Sequence, residues 1–221
     1  MKVLALETAN EQCSVSVIDD TQTLFFQLDA RAKAQTQTIL PMIEQGLNEL
    51  GLAVADLTAI AFSRGPGSFS GVRINAAVTQ ALAWSNDLPV IPVSTLQALA
   101  QAAYRLQGLT EVSAALDARM NEVYIASYRL DDTGIMQPVH EEQLLSYADG
   151  AKAAIFMPVG SGAELVQNER SDYKAVSATA QDIAVIARAA AKNENWVSAE
   201  LALPVYLREN AWKKIPEQGK A

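Results

Sequence analysis

Over its first hundred residues, this 221-residue chain shows β-prone and helical patterns in an order that few folds share. Three short β-prone runs come first, and the tight turn Asp19-Asp20-Thr21 joins two of them, so they predict an antiparallel meander. Helices and strands then alternate, and the whole part reads β-β-β-α-β-α-β-α. The predicted strands are 3–8, 13–19, 23–28, 57–62 and 89–93, and the predicted helices are 35–50, 72–85 and a third that follows a Ser94 cap and reaches Tyr104.

The second half of the chain has weaker patterns. Strands are predicted at 112–117, 122–128 and 155–159, and a helix is predicted to begin at Gly160-Ser161-Gly162. The clearest helical pattern covers 180–191. Each half of the chain contains a strand meander followed by a helix, a strand and a helix. This similarity is too faint to be a sequence repeat.

The composition is that of an ordinary soluble globular protein, with 50% hydrophobic and 19% charged residues. The formal net charge is −8, so the chain repels a phosphate backbone, and any role with nucleic acid is expected to run through a partner. Its single cysteine, Cys13, excludes an intrachain disulfide and is typical of a small buried residue. The start reaches Glu7 too soon for a signal peptide, and no stretch approaches the roughly 20 apolar residues of a membrane span, so we expect a cytoplasmic protein.

Two of the predicted helices are more apolar than a surface helix requires. In the helix at 72–85, Ile74, Val78 and Leu82 form one face, and alanines with Trp84 cover much of the other. A helix that is apolar nearly all round is buried on two sides. The sheet accounts for one side, and either a second protein or the neighbouring helix at 35–50 accounts for the other. The candidate partner-interface residues are Ile39, Met42, Ile43, Gly46, Arg73, Ala76, Ala77, Gln80, Ala83 and Trp84.

Several motifs stand in a fixed order along the chain. The most specific is RGPGSFSGVR at 64–73, followed by DARMNEVY at 117–124 and a YLR-N-AWKK ending, and the chain opens with MKVLALETANEQCSVSVID. With these motifs the sequence resembles the TsaB (YeaZ) family along nearly its whole length. The resemblance implies an α/β, two-lobed actin-like (ribonuclease H-like) fold, each lobe a mixed sheet with crossing helices. It implies a first lobe at 1–105, completed by the segment 204–221, and a smaller lobe at 106–203.

The resemblance also implies a function. TsaB proteins are held to support threonylcarbamoyl transfer to the adenine beside the anticodon of certain tRNAs without catalysing it. They pair with the catalytic paralogue TsaD and work with the ATPase TsaE. We therefore expect a scaffold subunit with no catalytic residues, which contacts tRNA only through the complex. Because TsaB and TsaD share the first lobe, the same face can pair the chain with itself when the partner is absent.

A weak nucleotide-binding ATPase or kinase of the actin-like superfamily is the alternative. Glu7 and Thr8 stand where that fold holds Mg²⁺ and phosphate, although the turn lacks the glycine that lets backbone approach phosphate. Gly65, Gly67 and Ser68 belong to a glycine-rich stretch before a helix N-terminus, which favours anions. The same stretch also fits a tight turn that needs positive φ. We expect no cofactor in the chain alone. ATP or ADP is expected only at the interface of the assembled complex.

A glycoprotease is the third and least favoured function. His140 is the single histidine, and with one cysteine the chain cannot assemble a usual zinc site, so we predict no metal. No nucleophile-elbow motif surrounds His140. Relatives often carry a histidine where this chain has Gln35, which removes another candidate for metal binding or acid–base chemistry.

Charged residues in the two strongest motifs have two interpretations. Arg64, Arg73, Asp117, Arg119 and Glu122 either form ion pairs between lobes or with a partner, or they are solvated charges of little consequence. The C-terminal stretch is the one locally basic and aromatic part of the chain. It either touches a partner or tRNA, or it docks back on the first lobe; its residues are Arg208, Trp212, Lys213 and Lys214.

Overall fold

Two five-stranded mixed sheets, with helices between and outside them, form the protein. The structure is a computed structural model and describes residues 1–31, 33–166 and 175–208. The first sheet has the order β3-β2-β1-β4-β5, in which β1 pairs antiparallel with β2 and parallel with β4. Its strands are β1 (Lys2–Glu7), β2 (Cys13–Asp19), β3 (Thr23–Asp29), β4 (Ala59–Gly65) and β5 (Val90–Ser94). The predicted meander is therefore confirmed.

The second sheet has the order β10-β6-β7-β8, and β9 also pairs with β7. Its strands are β6 (Glu111–Arg119), β7 (Glu122–Leu130), β8 (Met136–Pro138), β9 (Gln143–Ser146) and β10 (Met157–Val159). The central pair, β6 and β7, is antiparallel, whereas β10 joins β6 in parallel. Two mixed sheets with crossing helices confirm the α/β fold class that the resemblance implies.

In the described part of the chain, five helices cover the sheets in layers. They are α1 (Gln35–Glu49), α2 (Phe69–Ser85), α3 (Thr95–Gln107), α4 (Tyr147–Ala153) and α5 (Ala180–Lys192). Successive side chains of a strand point to opposite faces. Leu4 and Leu6 of β1 accordingly pack in one core with α1 and α2, while Val3 and Ala5 pack in another with α3 and α5. Helix α3 also contacts β6, β7 and β8, so it is shared between the two sheets.

The helix ends follow local side-chain chemistry. Ser68 and Ser94 cap α2 and α3, accepting bonds from the backbone N–H of Gly71 and Gln97. Thr179 and Asp182 form a capping box at the start of α5. Gly108 ends α3 in a left-handed conformation, φ +68°, which is the usual role of glycine at a helix C-terminus.

Some elements differ from their predicted bounds. Helix α2 begins three residues earlier than predicted, at Phe69, because Ser68 supplies the cap. The helix predicted after Gly160 is represented in the described residues by a 3₁₀ turn, Ala163–Val166, and residues 167–174 lie outside the described part of the chain. The strands β8 and β9 and the helix α4 were not predicted, since segments of three to seven residues carry too few apolar positions to show a period.

The segment after α5 returns to the first sheet. Val197 forms a bridge with Val90 of β5, and the Val205 N–H donates to the Arg64 carbonyl at 2.8 Å. Helix α5 itself contacts β1 and β2, although the predicted boundaries place it in the second lobe. The division at 105/106 and 203/204 stays a prediction, and residues 209–221 lie outside the described part of the chain.

Candidate functional site

An exposed stripe runs along the outer side of α2. The inner side of the helix, with Asn75, Ala76, Thr79 and Ala83, is buried on the first sheet. The outward residues follow at helical spacing and are Phe69, Arg73, Ala77, Gln80, Ala81 and Trp84. The largest of them are strongly exposed: 53% of Phe69 and 64% of Trp84 is accessible. Small side chains thus lie between two exposed rings.

Arg73 is held in place by its aromatic neighbours. Its guanidinium lies 3.4 Å from the centroid of the Phe69 ring and 5.1 Å from that of Tyr206, and Nη1 donates to the Phe69 carbonyl at 3.1 Å. A guanidinium over an aromatic ring is attracted by the negative ring face. The charge therefore sits in an ordered stack rather than on a free side chain.

The stripe continues onto neighbouring elements. Gln80 donates to the Glu200 carbonyl at 3.2 Å, and the 3₁₀ turn Ala199–Leu201 packs on α2. We call the combined surface the α2 face; it comprises the outer side of α2, the adjacent outer side of α1 and residues 201–206. In the described part of the chain, half of the twelve exposed large apolar side chains belong to it: Leu40, Phe69, Trp84, Leu201, Leu203 and Tyr206. Apolar side chains concentrated in one place on a surface indicate an interaction site.

The structure corrects six of the ten predicted interface residues. Ile39, Met42 and Ile43 are at most 4% exposed and pack in the core beneath α1. A Cβ on Gly46 would meet the Phe25 ring at 2.6 Å, so strand β3 covers that position. Ala76 and Ala83 are also buried, at 5% and 0%. The apolar arc of α1 is the face that packs on the first sheet, and only Arg73, Ala77, Gln80 and Trp84 of the predicted set reach the surface.

The glycine-rich turn packs on the protein's own backbone. A Cβ on Gly71 would lie 2.0 Å from the Thr8 carbonyl oxygen, and one on Gly67 would lie 2.4 Å from that of Ala9. The Ser68 N–H donates to the Ala9 carbonyl at 2.7 Å, and the Thr8 hydroxyl donates to the Gly71 carbonyl at 2.7 Å. These glycines bring two chain segments together, whereas in a phosphate loop they would approach a ligand. Of the glycines in this turn, only Gly65 has the positive φ that the tight-turn interpretation requires, at φ +103°.

Glu7 is a buried carboxyl with an unusual pKa. One of its oxygens accepts from the Ala9 N–H at 2.6 Å, and the other has no hydrogen-bond partner among the described residues. Burial raises its pKa to about 7, and the neighbouring donors Ser63, Ala9 and Asn10 offset this rise only in part. Asn75 of α2 binds the same Ser63 hydroxyl at 2.8 Å. Glu7 thus belongs to a polar network under α2 and has no exposed surface.

We expect Glu7→Gln to stabilise the fold above neutral pH. The raised pKa means that the folded state favours the protonated carboxyl, so its contribution is complete below the unfolded pKa near 4.5 and is lost as pH rises through about 7. A neutral amide avoids the buried charge, and the gain in unfolding free energy is about 1–3 kcal/mol at pH 8. Urea unfolding at pH 5 and pH 8 measures it.

Glu11→Gln is the matched control, because Glu11 is an exposed acid on the adjoining turn. The difference in unfolding free energy between Glu7→Gln and the unchanged protein should be smaller at pH 5 than at pH 8. The control should show no such pH dependence. An equal effect of Glu7→Gln at both pH values would contradict the buried-charge explanation.

Two ion pairs join segments that the predicted boundaries assign to different lobes. Arg64 reaches both carboxylate oxygens of Glu142, at 3.2 and 3.3 Å, and Arg208 pairs with Glu122 and donates to the Ala118 carbonyl at 3.1 Å. Asp117 and Arg119 pair with each other at the exposed tip of the β6–β7 hairpin. Arg64 and Glu122 are therefore paired charges, and their interlobe interpretation stays a prediction together with the lobe boundaries.

The remaining candidates have structural roles or lie elsewhere. Gln35 is buried, and its amide donates to the Asn10 carbonyl at 3.1 Å, which anchors the β1–β2 turn. His140 lies on the second lobe and contacts the Glu141 carbonyl. Cys13 is free and buried, and burial raises the pKa of its thiol. Arg208 docks at the lobe junction, but Trp212, Lys213 and Lys214 lie outside the described residues.

Within 1–31, 33–166 and 175–208, no three His, Cys, Asp or Glu side chains come together as metal ligands would. The helices of these segments include none with the length and hydropathy needed to cross a membrane.

Comparisons with known proteins agree with this architecture. Residues 30–203 match the family described as TsaD, tRNA N6-adenosine threonylcarbamoyltransferase. The chain is 41% identical to the tRNA threonylcarbamoyladenosine biosynthesis protein TsaB of Escherichia coli (strain K12), covering 98% of this chain and 99% of that protein. It is 34% identical to the protein of the same name from Haemophilus influenzae, with 98% of each covered. The solved structure of YeaZ from Pseudomonas aeruginosa superposes with a TM-score of 0.85 at 36% identity, covering 93% of this chain and 99% of that one.

Proposed function

This chain belongs to the TsaB family, and on that premise we propose that it is a non-catalytic subunit in the biosynthesis of tRNA threonylcarbamoyladenosine. It supports threonylcarbamoyl transfer to the adenine beside the anticodon by forming a heterodimer with the catalytic paralogue TsaD. The ATPase TsaE joins this pair, and the complex works in the cytoplasm. The match of residues 30–203 to the TsaD family supports the pairing, since two chains with similar lobes can present similar faces to each other.

The α2 face is the observation that carries the proposal. Ala77 and Ala81 allow a second helix to approach closely, and Phe69 and Trp84 at the two ends supply large apolar contacts. A homologous face rotated by two-fold symmetry would place the corresponding helices side by side. The outer side of α1 adds Leu40 to the contact. The same face serves a homodimer when the partner is absent.

The burial of Glu7 and Thr8, where β1 ends, supports the non-catalytic assignment. Glu7 and Thr8, which would face a nucleotide in an active relative of this fold, are 0% exposed, and the glycine-rich turn closes over them. A net charge of −8 opposes direct capture of tRNA by this chain. ATP or ADP, where it is needed, then binds at the assembled interface rather than in this chain alone.

Ala77→Arg and Ala81→Arg are expected to abolish binding to a TsaD homologue while leaving the fold intact. Both alanines are exposed, so a long charged side chain is solvated in the monomer. In the complex it would be crowded and stripped of water, at a cost of several kcal/mol, enough to weaken a micromolar complex by a factor of about 100 or more. Analytical ultracentrifugation with the TsaD homologue measures the loss, and circular dichroism measures the fold.

Ala148→Arg is the matched control, because Ala148 is an exposed alanine on α4 of the second lobe. Threonylcarbamoyl transfer to tRNA by the reconstituted proteins provides the functional readout. Transfer should persist with the control, fail with both α2 variants and be absent from this chain alone. Unchanged affinity of both α2 variants would refute the α2 face as the interface, and transfer by the isolated chain would refute the non-catalytic role.

A further inference from the structure

A cavity of about 540 Å³ lies between α3, α5 and the turn that joins β7 to β8. Its volume is within the range of small-molecule sites, about 300–1,000 Å³. Helices α3 and α5 pack on the face of the first sheet opposite to α1 and α2. The cavity is therefore separate from the α2 face, and its occupancy does not depend on the proposed heterodimer.

Three cations line this cavity in a chain that is acidic overall. They are Arg105 of α3 and Arg188 and Lys192 of α5. The one lining acid, Asp182, is completely buried and already bonded: Arg105 reaches its two oxygens at 2.8 and 3.0 Å, and the Thr179 N–H and hydroxyl add two further bonds. Asp182 therefore neutralises Arg105, and among the described residues it forms an ion pair with neither of the other two cations.

Arg188 and Lys192 have no acidic partner among the residues that the structure describes. They stand four residues apart on one helix, and like charges at this spacing destabilise a helix. The carbonyl end of α5 attracts Lys192 in the last turn, but Arg188 lies a full turn earlier. An anion between the two side chains would attract both and offset their mutual repulsion.

The other polar groups of the cavity are engaged, and much of the remaining wall is apolar. Gln101 donates to the Gly134 carbonyl and accepts from the Met136 N–H, and the Asn193 amide donates to the Ala189 carbonyl. Tyr104, Ile135, Val185 and Ala189 supply apolar surface. The site thus offers charge for one acidic group and hydrocarbon for the body that carries it.

We propose that this cavity binds a small organic anion, a phosphate or carboxylate group on an apolar or aromatic body. Arg188 and Lys192 hold the acidic group, and Tyr104 with the apolar side chains of α5 contacts the body. The two probes are phenyl phosphate and phenylacetate. One carries a phosphate and the other a carboxylate, each on a benzene ring. The tighter of the two identifies the acidic group that the site prefers.

Nuclear magnetic resonance titration of the ¹⁵N-labelled full chain tests the site. We expect at least one of the two aromatic anions to shift amide signals of α3 and α5, with a dissociation constant of about 1 mM. Inorganic phosphate lacks the ring and benzyl alcohol lacks the charge, so each should bind about tenfold more weakly. Arg188→Gln and Lys192→Gln should each weaken aromatic anion binding by a similar factor.

Lys33→Gln is the matched control, because it removes an exposed positive charge that does not line the cavity. It should leave the affinity unchanged. The proposal is overturned if neither aromatic anion shifts the amide signals of α3 and α5. It is equally overturned if benzyl alcohol or inorganic phosphate binds as tightly as the aromatic anions. It is also overturned if the control weakens binding as much as Arg188→Gln, since the effect would then come from net charge alone.

Discussion

Replacing Gly71 with alanine is expected to destabilise the protein by more than 4 kcal/mol, enough to leave little folded chain at 37 °C. The added Cβ would lie 2.0 Å from the Thr8 carbonyl oxygen and 3.0 Å from its carbonyl carbon. Both neighbours are backbone atoms, so no side-chain rotation relieves the overlap. The β1–β2 turn and the start of α2 would have to separate, which breaks the bond from Thr8 to the Gly71 carbonyl. Soluble yield and urea unfolding measure the effect.

Gly134→Ala is the control for this variant. Gly134 has φ +81°, and no atom lies within 4 Å of an added Cβ, so only the backbone strain of about 1–2 kcal/mol remains. Gly67→Ala should resemble Gly71→Ala, because its Cβ would meet the Ala9 carbonyl oxygen at 2.4 Å. Equal stabilities of the Gly71 and Gly134 variants would contradict the close contact of the two turns.

Ala83→Arg is expected to unfold the chain, whereas Ala81→Arg, two residues earlier, should not. Ala83 is 0% exposed and belongs to the core formed by the first sheet with α1 and α2. An arginine there buries an unpaired charge and exceeds the available volume, and either defect alone costs several kcal/mol. Ala81 is exposed on the outer side of the same helix. Thermal unfolding followed by circular dichroism distinguishes the two variants.

The comparison of these two variants also tests the orientation of α2. A folded Ala83→Arg protein that has lost its partner would mean that α2 is rotated about its axis, with Ala83 facing outward. A folded protein that keeps its partner would place Ala83 in neither the core nor the interface. The structure predicts neither result, because Ala83 packs inward and the stripe containing Ala77 and Ala81 faces outward.

The sequence was a good guide to strands and long helices but not to the orientation of α2. Two polar residues, Asn75 and Thr79, face the sheet and are fully buried. Asn75 donates to the Leu6 and Ser63 carbonyls, so its burial follows from the local path of β1 and β4. A helical wheel assigns polar residues to the surface and therefore cannot find this arrangement. In α1 the predicted interface residues Ile39, Met42 and Ile43 belong to the apolar side of the helix, and that side packs on the first sheet.

The glycine-rich turn shows a second limit of sequence patterns. Spacing alone indicates that a backbone atom comes close to Gly67 and Gly71, and it does not say whether the neighbour is a phosphate or a carbonyl oxygen. The residues that line the cavity between α3 and α5 form no motif in the sequence. Arg105 and Arg188 stand 83 residues apart in the chain and meet only because both helices pack on the same face of the first sheet.

The position of α3 between the sheets fixes how the two lobes move. Leu96, Leu99 and the alanines of α3 are buried in one continuous core with residues of both sheets. Opening the lobes like a clamp would expose that core to water, at about 25 cal/mol for each Å² of apolar surface. We therefore expect the two sheets to keep their arrangement when a partner binds. Association through the proposed α2 face would then order little beyond the side chains of that face, so the conformational part of the entropy cost of binding would be small.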